Sequence, residues 1–120
     1  MVWEVEYTDE FELWWENLDE SEQVDITTVV ELLEMKGPSL KFPYSSGIQG
    51  AKLTHLRELR IQHAGEPYRI LYAFDPKRCA LLLIGGNKTG YDRWYEVQIP
   101  IAEKLYQDHL LDIKKENQNG

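Results

Sequence analysis

The chain has 120 residues and a mass of 14.1 kDa, a length that predicts one domain spanning residues 1–120. Hydrophobic residues make up 42% and charged residues 28%, which argues against disorder, and the single cysteine excludes a disulfide framework. The formal net charge of −8 argues against a general polyanion binder, so we expect no direct DNA binding by this chain alone.

The first third of the chain predicts one strand and two helices. Residues 2–7 partly alternate, as a short strand does. Thr8 or Asp9 can cap a first helix, whose apolar residues are spaced by three and four: Phe11, Trp14, Trp15 and Leu18. Asp19 followed by Glu22 resembles a capping box, and the second helix that it opens should end at the Gly37-Pro38 dipeptide. The aromatic stripe of the first helix either packs in the core or docks a partner peptide.

A loop over residues 37–51 precedes three predicted strands at 56–61, 68–74 and 79–84. The last of these is continuously apolar, so we expect an interior strand that Gly85 and Gly86 end while allowing a close backbone approach. A polar, aromatic loop over 87–95 leads to a final helix with Pro100 in its first turn, and residues 116–120 should be frayed. This order predicts an α+β domain whose last three strands form a meander.

The charges are unevenly distributed along the chain. Residues 1–34 contain 12 Asp or Glu and no Lys or Arg, whereas residues 52–93 contain eight basic and four acidic residues. An anionic ligand should therefore bind the middle of the chain, and the acidic front favours a basic partner.

The strongest candidate site is cationic. If Ala64-Gly65 forms the tip of a tight hairpin, Arg60 lies opposite Arg69 on the same face, an arrangement that is repulsive unless an anion binds there. Lys88, which follows the third strand of the meander, can reach the same end of the sheet. The alternative is that one of the two arginines pairs with Glu58 in a shifted register.

Other motifs are less specific. Tyr91 and Arg93 lie in the loop after Lys88, where aromatic and basic side chains can stack on nucleobases, whereas Trp94 is expected to pack the final helix onto the sheet. His55 either has a structural role or acts as a base or RNA ligand. The Gly-Gly-Asn-Lys-Thr stretch lacks the P-loop spacing, no Gly-x-Ser-x-Gly motif is present, and the histidines and Cys79 lack metal-ligand spacing, so we expect no metal and no cofactor.

As a set, several segments resemble the RelE/ParE superfamily of type II toxins, and most of all its phage-derived, HigB-like branch. The segments that carry the resemblance are residues 57–60, 68–76, 81–84, 85–90, 94–95, 99–102 and 105–106. The loop at Pro43-Tyr44 and the two early helices also fit, so the resemblance covers nearly the whole chain.

The resemblance implies an N-terminal strand and two helices packed on a twisted, mainly antiparallel sheet, with a C-terminal helix. It also implies an endoribonuclease that cleaves mRNA on the ribosome and is neutralised by an antitoxin, which often carries a helix-turn-helix. In such enzymes the RNA 2′-hydroxyl attacks the adjacent phosphate, and the family's basic positions fall on Arg60, Arg69 and Lys88. RNA-binding positions that carry over less closely are Lys52, His55 and Arg57. Independently of the resemblance, the longest apolar run, Cys79 to Ile84, is far too short to cross a bilayer, so we expect a cytoplasmic protein that binds no membrane.

The chain departs from the family pattern at two points. Related toxins often have two consecutive bases after the last strand, where this chain has Asn87 before Lys88, and many are strongly basic. The superfamily also includes gyrase poisons. A second hypothesis is therefore a non-catalytic binding module, either a gyrase poison or an inactive antitoxin-binding protein.

Overall fold

A computed structural model of the protein describes residues 2–49, 51 and 55–119. Lys52, one of the RNA-binding candidates, lies outside these residues. In the described part, the strands and α-helices in chain order are β1 (Val5–Tyr7), α1 (Asp9–Glu16), α2 (Glu20–Lys36), β2 (Ser45–Gly47), β3 (Arg57–His63), β4 (Glu66–Phe74), β5 (Ala80–Asn87) and α3 (Trp94–Asn119).

The five strands form one sheet in the order β1-β5-β4-β3-β2. The β3, β4 and β5 strands are consecutive antiparallel neighbours, which confirms the predicted meander, and β2 also pairs antiparallel to β3. β1 runs parallel to β5 at the other edge, so β5 is an interior strand as expected. The fold is therefore α+β with a mainly antiparallel sheet.

Both faces of the sheet are covered by helices. On one face, α1 and α2 bury an apolar cluster of strand and helix residues that includes Phe11, Ile26, Leu33, Leu59 and Ile70. On the other face, α3 buries a second cluster that includes Leu71, Leu83, Trp94, Ala102 and Tyr106. Among the residues that the structure describes, no helix has both the length and the apolarity needed to cross a membrane.

The two early helices begin where the local sequence predicts. The Thr8 hydroxyl accepts a hydrogen bond of 3.0 Å from the backbone N–H of Phe11, which caps α1. Asp19 and Glu22 exchange both hydrogen bonds of a capping box at the start of α2. Gly37 ends α2 with a φ of 55°, a value that favours glycine.

The prediction that Gly85 and Gly86 end the third meander strand is wrong, because β5 continues to Asn87. The sequence predicts a close approach of backbone there, whereas the close neighbours of the two glycines are tryptophan side chains. A Cβ atom at Gly85 would lie 2.3 Å from the Trp14 ring, and one at Gly86 would lie 2.6 Å from Nε1 of Trp94. The two glycines therefore admit one indole on each face of the strand.

The final helix is longer than predicted at both ends. α3 begins at Trp94, so Pro100 lies inside the helix instead of in its first turn, and the helix continues to Asn119 through the segment expected to fray. Trp94 is buried against the sheet, as expected, and this packing outweighs the backbone hydrogen bond that Pro100 cannot donate. The three-residue strand β2 was not predicted, since it lies within the loop-like 37–51 segment.

Candidate functional site

The two arginines predicted to face each other do so. Ala64 and Gly65, both with positive φ, form a two-residue turn between β3 and β4. In the resulting ladder Arg60 pairs directly with Arg69. Neighbouring pairs alternate between the two faces of the sheet, and the register places these side chains on the face that α3 covers.

Glu58 is the anion that both arginines share. Its Oε2 lies 3.3 Å from Nη1 of Arg60, and its Oε1 lies 3.5 Å from Nε of Arg69. Ser46 on β2 donates a hydrogen bond of 2.7 Å to Oε2, and the Tyr95 hydroxyl donates to Oε1. Glu58 is 6% exposed, so its charge is compensated within the protein. The carboxylate thus pairs with two arginines and does so without a shift in register.

Arg69 is a buried cation, with 4% of its side chain exposed. Its Nη1 donates a hydrogen bond of 2.9 Å to the backbone carbonyl of Tyr68. Within the described part of the chain, Nε is buried without a hydrogen-bond partner, since its geometry towards Glu58 gives an ion pair only. Arg60 is 29% exposed and so can meet a ligand directly, whereas Arg69 acts on its surroundings mainly through its charge.

Lys88 belongs to the same cluster. Its backbone N–H donates to the carbonyl of Pro67 at 3.1 Å, which holds the residue beside the start of β4. Its Nζ lies 5.1 Å from the centre of the Tyr95 ring, a cation–π distance. Burial lowers the pKa of Lys88, and the positive charges of Arg69 and Arg60 lower that pKa further, against the opposing effect of Glu58.

The cluster therefore has three cations and one carboxylate, which leaves a net formal charge of +2 on one face of the sheet. Tyr95, in the first turn of α3, completes it. Burial, followed by the hydrogen bond to Glu58, raises the pKa of Tyr95 to about 12, so its hydroxyl stays protonated and keeps donating at neutral pH. We name these five residues the cation cluster: Glu58, Arg60, Arg69, Lys88 and Tyr95.

The remaining RNA-binding candidates lie outside the cation cluster. Arg57 pairs with Tyr72 in the ladder, which places it on the opposite face, where its Nε donates to the Ser45 hydroxyl at 3.2 Å. His55 is exposed, with its ring 5.7 Å from that of Tyr106.

Tyr91 and Arg93 lie in the exposed loop between β5 and α3. Nε of Arg93 donates to Glu96 at 2.9 Å. This loop begins with Lys88 and so adjoins the cation cluster. Among the described residues, the side chains of Tyr91 and Arg93 make no hydrogen bond or ion pair with Glu58.

At the other end of β5, possible metal ligands come together that the sequence spacing did not indicate. Glu6, Asp75 and His109 form one group, and Glu4, Glu6 and Cys79 form another, each with ligand atoms within 4.8 Å. Most members of the two groups make hydrogen bonds within the protein. Asp75 accepts from the backbone N–H groups of Lys77 and Cys79 and lies 2.8 Å from Nε2 of His109, and the Cys79 thiol donates to Glu4 at 3.3 Å.

Comparison with known proteins identifies relatives over most of the chain. Residues 13–107 match the family described as "Phage derived protein Gp49-like (DUF891)". "Putative toxin HigB3" of Mycobacterium tuberculosis is 40% identical over 100 residues, which cover 82% of this chain and 86% of that protein. "Putative toxin HigB2" of the same organism is 34% identical over 84% of this chain, although the matched region spans only 51% of its length.

A solved structure has the same fold. The crystal structure of the archaeal RelE-RelB complex from Pyrococcus horikoshii OT3 contains a chain that superposes with a TM-score of 0.54. The superposition covers 75% of this chain and 99% of that chain at 15% identity. This similarity confirms the predicted RelE-like arrangement of helices and sheet.

Proposed function

The chain belongs to the phage-derived Gp49-like family and is a RelE-like homologue of the HigB toxins, and from this we propose that it is the toxin of a type II toxin-antitoxin system and that it cleaves mRNA on the ribosome. Residues 1–120 then form one toxin domain that acts in the cytoplasm. Its partner is an antitoxin with a helix-turn-helix.

The cation cluster is the observation that supports ribonuclease chemistry. In RNA cleavage of this class the 2′-hydroxyl gives up its proton as its oxygen attacks the adjacent phosphorus. The bond from phosphorus to the 5′-oxygen breaks, the departing 5′-oxygen takes up a proton, and negative charge builds up on the phosphoryl oxygens in the transition state. A site that already holds positive charge stabilises that transition state more than the ground state. The net formal charge of +2 on the cation cluster supports this role.

The exposure of each cation suggests its role. Arg60 is 29% exposed and Lys88 is partly exposed, so these two would contact the phosphate directly. Arg69 is buried behind them and would contribute its charge from a distance. Glu58 accepts from Ser46 and Tyr95 and pairs with both arginines, so we assign it to positioning the guanidinium groups and not to taking a proton.

One observation favours the second hypothesis, a non-catalytic toxin-fold protein that poisons gyrase or only binds an antitoxin. Both arginines already have a carboxylate partner, and Arg69 is almost inaccessible. In that case Glu58, Arg60 and Arg69 would form a structural ion-pair network under α3.

Expression in bacteria, with and without the neighbouring antitoxin gene, separates the two hypotheses. The ribonuclease predicts growth arrest and new mRNA 5′ ends at preferred codons. Arg60→Ala and Lys88→Ala should each reduce cleavage by about 100-fold, since each removes charge stabilisation of the transition state. Lys104→Ala is the matched control, because Lys104 is an exposed cation on α3 that pairs with Asp108.

Thermal unfolding of each purified variant shows whether it is folded. Growth arrest that persists in folded Arg60→Ala and Lys88→Ala variants, without mRNA cleavage, would contradict the ribonuclease proposal. Recovery of gyrase with the wild-type chain would then support the gyrase poison, and absence of toxicity would support the inactive binding protein.

A further inference from the structure

A groove opens on the face of the sheet opposite the cation cluster. It lies where β1 meets α1 and α2, and its volume is about 540 Å³. Aromatic and aliphatic side chains form its floor, namely Val5, Tyr7, Phe11, Trp15, Val30 and Leu82. Tyr7 is 57% exposed, so part of this apolar floor is open to solvent. We name it the acidic groove, because three carboxylates also line it.

Three carboxylates line the acidic groove: Glu12 and Glu16 on α1, and Glu34 on α2. Among the described residues, none of the three has an ion-pair partner. Residues 1–34 contain 12 acidic residues and no Lys or Arg, so no basic side chain of this segment neutralises the charge of the groove. Carboxylates beside an aromatic floor suit a Lys or Arg side chain, whose charged end pairs with the acid while its stem packs on the ring.

We propose that the acidic groove binds a segment of the antitoxin that is rich in Lys and Arg and also carries apolar side chains. The identity of the partner rests on the proposed function, whereas the chemistry of the segment rests on charge complementarity with the groove. Because the groove and the cation cluster lie on opposite faces of the sheet, the segment can bind without covering Arg60 or Lys88.

A labelled peptide tests the groove directly. The probe is a fluorescein-labelled peptide of about twelve residues built from Arg, Lys, Leu and Ala. The control peptide has the same sequence with Gln at every basic position. Fluorescence anisotropy with the full chain should show binding of the basic peptide only. The triple variant Glu12→Gln/Glu16→Gln/Glu34→Gln should weaken that binding by about tenfold, with most of the loss at low salt.

The matched control variant changes the net charge by the same amount, at positions outside the groove. Glu10→Gln/Asp92→Asn/Asp112→Asn removes three exposed carboxylates that do not line the groove, and it should change the affinity by less than about twofold. Equal weakening by the two triple variants would mean that the peptide responds to net charge alone and would overturn the proposal. A basic peptide that does not bind the wild-type chain would overturn it as well.

The same variants separate this inference from the proposed function. If the chain arrests growth and the neighbouring antitoxin neutralises it, the groove variant should need more antitoxin for neutralisation than the control variant. Equal neutralisation would overturn the groove as the antitoxin site while leaving the toxin assignment intact. A chain that is not toxic but binds the basic peptide through the groove would contradict the proposed function and keep the chemistry of the groove.

Discussion

Arg60 and Arg69 face each other across the β3–β4 ladder, and each lies beside a different oxygen of Glu58. Two guanidinium groups at a directly opposed position would destabilise the hairpin without an anion between them. Glu58 provides that anion from within the fold, so the cation cluster is stable before any phosphate arrives. A ligand phosphate would add a second anion to a site that still has a net positive charge.

Removing the charge of Glu58 should destabilise the protein. The variant Glu58→Gln keeps the size of the side chain but leaves Arg69 buried without a counter-charge, and we expect the free energy of unfolding to fall by about 3 kcal/mol. Urea denaturation followed by circular dichroism measures this change. Glu96→Gln, which breaks the exposed pair with Arg93, is the control and should cost less than about 0.5 kcal/mol. Equal losses in the two variants would show that Glu58 does not compensate Arg69.

Lys88 should lose its proton at a lower pH than Lys77. Burial and the charges of Arg69 and Arg60 lower the pKa of Lys88, whereas the hydrogen bond to Glu116 raises the pKa of Lys77. Side-chain NMR titration of the lysine ammonium groups resolves both. In Arg69→Met one repulsive charge is absent, so the pKa of Lys88 should rise while that of Lys77 does not change. If the pKa of Lys88 is unchanged in that variant, Lys88 lies too far from Arg69 to share a site with it.

Much of the fold follows from local sequence signals. The Asp19–Glu22 capping box and the positive-φ Gly37 act within one helical turn, and both ends of α2 follow from them. The start of α3 does not follow in this way, because it depends on Trp94 packing against Gly86 of β5, a contact between a helix and the sheet. The three residues of β2 are too few to show a period.

Part of the candidate site was also predictable from local sequence signals. The positions of Arg60 and Arg69 follow from counting residues back from the Ala64-Gly65 turn. Glu58 lies two residues before Arg60 and so shares its face, a signal that allowed it as a partner for one arginine but not for two. The Tyr95 hydroxyl could not be foreseen, because its position depends on where α3 begins.

The indole contact at Gly86 should make even one added methyl group costly. In Gly86→Ala the new Cβ would lie 2.6 Å from Nε1 of Trp94, so we expect the free energy of unfolding to fall by about 2 kcal/mol. Trp94→Phe should lose less stability in the Gly86→Ala background than in the wild type, which a double-mutant cycle measures. Gly47→Ala is the control, since its Cβ would lie 3.9 Å from its nearest neighbour, Nη1 of Arg57. Additive losses at positions 86 and 94 would contradict the contact.

Stability should also depend on pH through His63, which joins β3 to α2. Its Nδ1 lies 2.6 Å from a carboxylate oxygen of Asp25, and that hydrogen bond raises the pKa of His63 in the folded protein. A histidine with a raised folded pKa contributes its full stability below its unfolded pKa, about 6.5, and that contribution disappears as pH rises through the folded value. We therefore expect His63→Gln to be less stable than the wild type at about pH 5.5. Above the folded pKa of His63, the free energies of unfolding of the variant and the wild type should change with pH in the same way.

Denaturant unfolding at a series of pH values checks this expectation. Asp25→Asn is the decisive companion variant, because it keeps His63 but removes the charge that favours the imidazolium. The stability difference between Asp25→Asn and the wild type should shrink over the same pH interval as for His63→Gln. If each variant differs from the wild type by a constant amount from pH 5.5 to above the folded pKa, the pair contributes as a neutral hydrogen bond and His63 is not charged in the folded state.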